Sequence, residues 1–273
     1  MSRYMLMLLR TYTPLPPLSM FVDMIWYLDG YNPSHSRERS LPDGTADMII
    51  NLDEAPIRLF DRHDREIVSR QSILCGPHSD FFVIDSSGRA KVIGVHFKPG
   101  GLRPFVKEPL REFLNRHIPL DLIWGSKAGE LYEELLGTDV PEAMFRILEK
   151  WLLSSVHGSM EYDQAVQYAL DQLQCKPVAE VIEQTGFSHR RFNQIFKEEM
   201  GMTPKRLQRI YRFQEALNLM NDDGAWTWTD VAFACGYYDQ AHFIKDFQSF
   251  SGINPGDYRA IPGRHHNHVS LRT

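Results

Sequence analysis

The sequence predicts a two-domain α+β protein, a β-rich half followed by an all-helical one. Three observations carry that prediction. Short β-prone runs separated by turn residues occupy the chain as far as Phe97. Beyond Pro99 the apolar residues recur at three- and four-residue spacing, the period of an α-helix. In the last third one pattern of punctuation (Phe, four residues, Gly, two residues, Pro) occurs twice, in FKEEMGMTP at 196–204 and FQSFSGINP at 247–255.

In the β-rich half, FVDMIWYL (21–28), ADMIINL (46–52), IRLFDR (57–62), SILCG (72–76), FFVID (81–85) and KVIGVHF (91–97) read as strands. NPSHS, PDG, DRHD, GPH and SSG lie between them as turns. Short strands at such regular spacing make a small barrel or sandwich. Past residue 99, GGLRPF, EFLNRH, AGELYEELL and PEAMFRILEKWLLSSV are helical in period. Met144, Ile147, Leu148, Trp151 and Leu152 form one stripe of a helix over 141–156, which either covers the barrel or pairs two copies of the chain. The small, polar stretch SSVHGSM (154–160), interrupted by Gly158, marks the boundary between the domains. The tail RHHNHVSLRT is polar and is expected to be disordered.

Composition narrows the class without naming a partner. Hydrophobic residues make up 43% of the chain and charged residues 24%, as in ordinary soluble proteins, and the formal net charge is −5. Cys75, Cys175 and Cys235 form no CxxC pair and have no His at metal-ligand spacing, so neither a disulfide framework nor a zinc finger is expected. The apolar run near the N-terminus is broken by Arg10 and three prolines, and no stretch approaches the length of a membrane span. The expected location is the cytoplasm, with no membrane partner.

Each copy of the punctuation closes a longer unit, VAEVIEQTGFSHRRFNQIFKEEMGMTP and TDVAFACGYYDQAHFIKDFQSFSGINP. Both run through an apolar-periodic segment, a Gly, an aromatic, a capping residue and a second helix, the order of a helix-turn-helix. Gly186 and Gly236 stand just past the first helix, where a positive φ turns the chain sharply. Ser188 and Asp239 stand where a side-chain oxygen caps the second. Gly201 and Gly252 would end the second helices, and Pro204 and Pro255 would open the next segment in each unit.

On a wheel at 100° per residue, Phe192, Ile195, Phe196 and Met200 share one side of the first recognition helix, and Arg190, Asn193, Gln194 and Lys197 the other. Arg, Asn and Gln can hydrogen-bond base edges in pairs, so this face suits a major groove. In the second helix Phe243, Phe247 and Phe250 point inward, and Ala241, Ile244, Lys245 and Gln248 outward. That set hydrogen-bonds less, although Ala and Ile suit thymine methyl groups. Between the units, PKRLQRIYRFQEALNLM (204–220) is a helix with Leu207, Ile210, Tyr211, Leu217 and Met220 toward the core and Lys205, Arg206, Arg209 and Arg212 for phosphates. Residues 160–261 hold 10 Lys plus Arg against 14 Asp plus Glu. Binding would therefore rest on asymmetry, with acids such as Glu180, Glu183, Asp222 and Asp223 away from the reading face.

These residues resemble the DNA-binding domain of AraC/XylS-type transcriptional regulators. The pattern G-F-S-x-R-x-F-x-x-x-F-K-x-x-x-G-x-x-P is met by Gly186, Phe187, Ser188, Arg190, Phe192, Phe196, Lys197, Gly201 and Pro204. A second, G-Y-x-D-x-x-H-F-x-x-x-F-x-x-x-x-G-x-x-P-x-x-Y-R, is similar to the run through Gly236, Tyr237, Asp239, His242, Phe243, Phe247, Gly252, Pro255, Tyr258 and Arg259. The chain departs from the family at Gln194, where Arg is frequent, and at Ile244, where a small polar residue is usual. The PDG at 42–44 and the GVHFKPGG at 94–101 resemble N-terminal segments of uncharacterised family members.

The resemblance implies a regulatory, cupin-like β-barrel with trailing helices over 1–157, a double helix-turn-helix domain with a central helix over 158–262, and the tail at 263–273. Arg190, Asn193, Gln194, Ala241, Ile244 and Lys245 would read bases in successive major grooves about 34 Å apart. Ser188, Lys197, Lys205, Arg206, Arg209, Arg212 and Gln248 would hold phosphates. Trp26, Tyr27, Asn51, His78 and His96 are the candidates to line an effector pocket, as aromatic and polar strand residues at a barrel mouth do. The implied partners are double-stranded DNA, a small-molecule effector, a second copy of the chain and, for an activator, RNA polymerase. No cofactor, metal or catalytic group is expected, and no P-loop, GxSxG or dinucleotide motif occurs. The rival reading is an enzymatic, metal-dependent or other, barrel fused to a DNA-binding module.

Overall fold

The computed structural model describes residues 7–222, 226–262 and 265–271. Asp223 and the ends of the tail, among the sequence-based expectations, lie outside them. The β-rich region holds β1 (Leu8–Tyr12), β2 (Val22–Tyr31), β3 (Arg37–Ser40), β4 (Asp47–Asn51), β5 (Ile57–Phe60), β6 (Glu66–Ser69), β7 (Ser72–Cys75), β8 (Phe82–Asp85), β9 (Ala90–Phe97) and β10 (His117–Pro119). They form two antiparallel sheets, ordered β1-β2-β9-β4-β7-β10 and β3-β8-β5-β6, the second extended by β11 (His268–Ser270) beside β3. Among the described residues, no ladder joins the two sheets of the cupin-like domain into a closed barrel.

All six expected strands form. Five others were missed: β1, β3, β6, β10 and, in the tail, β11. RERS in β3 and EIVS in β6 offer too few apolar residues to alternate, and β3 exists because β8 and β11 flank it. His117–Pro119 sits in a stretch whose spacing reads as helical, yet pairs with β7 as an edge strand. The first sheet is covered by α1 (Asp121–Trp124), α2 (Ser126–Leu136) and α3 (Pro141–Ser154). Met144, Leu148, Trp151 and Leu152 of α3 are buried in one core with Ile25, Tyr27 and Ile93, and Ile147 packs at its edge. The apolar stripe therefore covers the sheet of its own chain.

The helical region holds α4 (Gln164–Gln172), α5 (Val178–Gln184), α6 (His189–Met200), α7 (Pro204–Asn221), α8 (Trp228–Ala234) and α9 (Gln240–Ser251). Phe192, Phe196 and Met200 from α6, Leu207, Ile210, Phe213 and Leu217 from α7, and Phe243, Phe247 and Phe250 from α9 are buried in one cluster. Tyr211 and Met220 only border it.

The tail is the largest correction. Expected to be disordered, it returns to the β-rich domain as β11, with His268, Val269 and Ser270 opposite Ser40, Arg39 and Glu38. Val269 is buried in the helical core, and the Leu41 amide donates to the Asn267 carbonyl at 2.9 Å. An unpaired β3 edge and a buried anchor give a polar segment a place to bind, which composition does not reveal.

Candidate nucleic-acid interface

The interface is built on two capped helices. Ser188, in extended conformation, accepts the Arg191 amide at 3.3 Å, and Asp239 accepts the His242 amide at 2.7 Å. These bonds satisfy donors that the first turn of α6 and of α9 leaves open. Both helices stop at a left-handed glycine, Gly201 at φ 80° and Gly252 at φ 69°. Thr203 caps α7, with Pro204 in its first turn.

Outside the core, α6 exposes Arg190, Gln194 and Lys197, with Asn193 partly exposed and its amide donating to the His189 carbonyl at 2.7 Å. On α9, Ala241, Lys245 and Gln248 are exposed, whereas Ile244 packs half-buried against the core. Ile244 is thus less available to a base than its place on the wheel implied. Gln248 donates its amide to Asn254.

Of the four cations expected on phosphates near the start of α7, only Lys205 is exposed. Arg209 makes two bonds to the buried carboxylate of Asp246, at 2.7 and 3.1 Å. Arg206 donates to Asp80 at 2.9 Å and to the Ser79 carbonyl at 2.6 Å, and lies over the Phe250 ring. Arg212 donates to the Gly236 carbonyl at 3.3 Å and lies over Tyr237. These three arginines face protein partners because their side of α7 packs toward α9, the turn between α8 and α9, and the β7–β8 loop, a direction the sequence does not encode.

A family model described as a helix-turn-helix domain matches residues 181–261. Over 79 residues the chain is 33% identical to the HTH-type transcriptional activator RhaS of Escherichia coli, covering 29% of this chain and 28% of RhaS. The C-terminal domain is of the AraC/XylS type. The chain thus spans less than a third of the length of the curated relatives it matches. A domain model of unknown function, DUF6597, matches residues 10–119. ToxT from Vibrio cholerae superposes with a TM-score of 0.46 at 12% identity, over 92% of this chain and 97% of ToxT. A probable AraC family transcriptional regulator from Rhodopseudomonas palustris does so with a TM-score of 0.30 at 26% identity, over 34% of this chain and 87% of that one.

Both recognition helices of this AraC/XylS-type domain end against the β-rich domain. A Cβ on Gly201 would press on Pro77 and the Leu110 carbonyl, and one on Gly252 would overlap the Phe81 ring. The loop at 77–81 therefore touches the end of each. Arg39 of β3 donates to the Ser251 carbonyl at 2.8 Å, and Gln214 of α7 to the Pro42 carbonyl at 2.8 Å. Arg103 and Arg111 reach Glu199 and Glu198 of α6 at 3.3 and 3.1 Å.

Between the two sheets lies a cavity of about 230 Å³. Of the expected pocket residues, Trp26 and Asn51 line it. Trp26 has room because position 94 is glycine, where a Cβ would overlap the indole. Asn51 is committed to structure, donating to the Ala55 and Arg70 carbonyls at 2.8 and 2.9 Å. Tyr27, His78 and His96 lie elsewhere. Tyr27 belongs to the core beneath the helices. His78 is buried in the loop at 77–81, 4.7 Å ring to ring from His117 and Phe82, and burial lowers its pKa. His96 stands 2.8 Å from Asp47; burial opposes its charge, but Asp47 and Asp43 outweigh that and raise its pKa to about 10. Leu28, Ile57, Ile84 and the buried Glu38 also line the cavity, and none of them was expected there. For Glu38 no signal existed, since RERS reads as a solvated charge run.

Proposed function

We propose that this chain is a sequence-specific DNA-binding transcriptional regulator whose N-terminal domain takes a small-molecule effector. One observation carries the reading: two N-capped, glycine-terminated helices are anchored by inward phenylalanines in the core they share with α7, and α6 exposes Arg190, Gln194 and Lys197 together. Arg190, Asn193 and Gln194 read bases, with Ala241 and Lys245 contributing less and Ile244 through an apolar edge. Ser188, Lys197, Lys205 and Gln248 hold phosphates. Arg206, Arg209 and Arg212 act indirectly, by holding α7 against the loop at 77–81, α9 and the turn between α8 and α9.

The effector site is the cavity between the sheets. Its lining combines Trp26, Leu28, Ile49, Ile57 and Ile84 with polar groups such as Arg58, Ser86 and Glu38, the last already accepting from the Tyr31 hydroxyl at 3.0 Å, which suits a mainly apolar molecule with polar substituents. The proposal is of a non-enzymatic protein working in the cytoplasm. RhaS is an activator, and an activating role here would add RNA polymerase as a partner.

The test is selection of preferred sites from random duplexes by the full chain, followed by binding measurements with Arg190→Ala. Loss of about 1–3 kcal/mol at the preferred site, with relaxed choice at one base pair, is expected. Unchanged affinity and preference would refute the assigned reading face.

A further inference from the structure

The exposed face of α6 is not made by the helical domain alone. Arg111, from the short 3-10 turn Leu110–Glu112 that precedes β10, joins Arg190, Asn193, Gln194 and Lys197 around one open cleft of about 320 Å³. Beside it, Glu198 connects the two domains. Its Oε1 accepts from Arg111 Nη1 at 3.1 Å and from Gln194 Nε2 at 3.2 Å. The Arg111 Nε is held in turn by Glu112 at 3.2 Å.

This geometry has two consequences. A glutamine pairs with adenine by offering one amide hydrogen and its carbonyl oxygen together. Tying the other Nε2 hydrogen to Glu198 fixes the amide plane before DNA arrives, which lowers the ordering cost of that pairing. A carboxylate at that place would also repel a phosphate backbone, and Arg111 counters its charge. The 3-10 turn sits against the end of α6, where a Cβ on Gly201 would lie 3.1 Å from the Leu110 carbonyl oxygen.

We infer that Arg111 is a positioning residue for base recognition: through Glu198 the regulatory domain orients Gln194 and thereby sets the base preference of the first recognition helix. The inference rests on the proposed function, in which Gln194 reads a base. It makes the DNA specificity of the full chain a property of both domains and predicts that an effector able to shift the Leu110–Glu112 turn would alter which sites are chosen as well as how tightly they are held.

The test is a double-mutant comparison in the full chain, with base preference scored position by position against a library of single-base site variants. Gln194→Ala identifies the base pair that Gln194 reads. Arg111→Ala is expected to relax choice at that same base pair by roughly fivefold or more, and to add nothing there when Gln194 is already Ala. Glu198→Gln, which keeps the shape but loses the charge, is expected to move preference at the same position. Thermal unfolding of each variant separates loss of fold from loss of positioning, since a merely structural role would not single out one base pair. Arg111→Ala that weakens all sites equally, with preference intact, overturns the relay while leaving the reading by Gln194 in place. Gln194→Ala with no effect on preference overturns the relay together with the reading face proposed for α6.

Discussion

In the first helix-turn-helix unit the recognition helix exposes Arg190, Gln194 and Lys197, and its acids Glu198 and Glu199 reach arginines of the β-rich domain. In the second, the charged residue Asp246 is buried against Arg209, Ile244 is half-buried, and the helix end is held by Arg39 through a backbone carbonyl. Two copies of one scaffold have been used differently. The first carries the hydrogen-bonding side chains and partly exposed pairs to the other domain; the second carries an ion pair whose carboxylate is buried and which links α7 to α9. Physical chemistry favours such a division, since exposed pairs contribute little to stability while breaking a buried one is costly.

The largest effects should come from what the units share. Phe196→Ala and Phe247→Ala are each expected to cost about 3–5 kcal/mol in denaturant unfolding. Phe247 should lie at the upper end, because it contacts the rings of Phe213, Phe243 and Tyr258 whereas Phe196 pairs with Phe192. A larger loss at Phe196 would break the parallel between the cores. Next comes the buried pair. Asp246→Ala should cost about 2–4 kcal/mol, against under about 1 kcal/mol for Glu198→Ala in the first unit.

A smaller difference is expected on DNA. Lys245→Ala should lower the slope of log affinity against log salt by about one and shift base preference less than Arg190→Ala does. A shift in preference as large as that of Arg190→Ala would make the second helix a reader equal to the first. The smallest effect concerns the seat that both helices share. His78, in the loop at 77–81, is buried and its pKa is lowered from 6.5. Its contribution to stability is complete above 6.5 and is lost as pH falls below that value, because the unfolded chain then binds the proton more readily. Unfolding midpoints measured from pH 7 to pH 5 should therefore fall more steeply in the wild type than in His78→Gln.

The helical domain was legible because its rules are local. A capping oxygen, a left-handed glycine and an inward phenylalanine each act within one turn, so Ser188, Gly201 and Phe196 could be assigned from spacing. The six apolar strands were legible by the same logic of period. The site was legible only in part: Arg190, Gln194 and Lys197 face outward as the wheel requires, but Arg206, Arg209 and Arg212 meet partners 24 to 127 residues away in the chain. Tyr27 and His96 likewise sit on strands, as read, but away from the cavity.

The sequence by itself therefore determined the two regions, the duplicated scaffold and the face of α6 that meets solvent, because periodicity and capping are properties of neighbouring residues. Tertiary structure alone decided which charges remain available, where the cavity opens and what becomes of the tail. Arg209 is withdrawn by Asp246, Glu38 is enclosed between two sheets, and a polar stretch expected to be disordered becomes a strand once an open edge is within reach. Charge pairing, enclosure and edge pairing depend on distances between segments remote in sequence, and those distances exist only after the chain has folded.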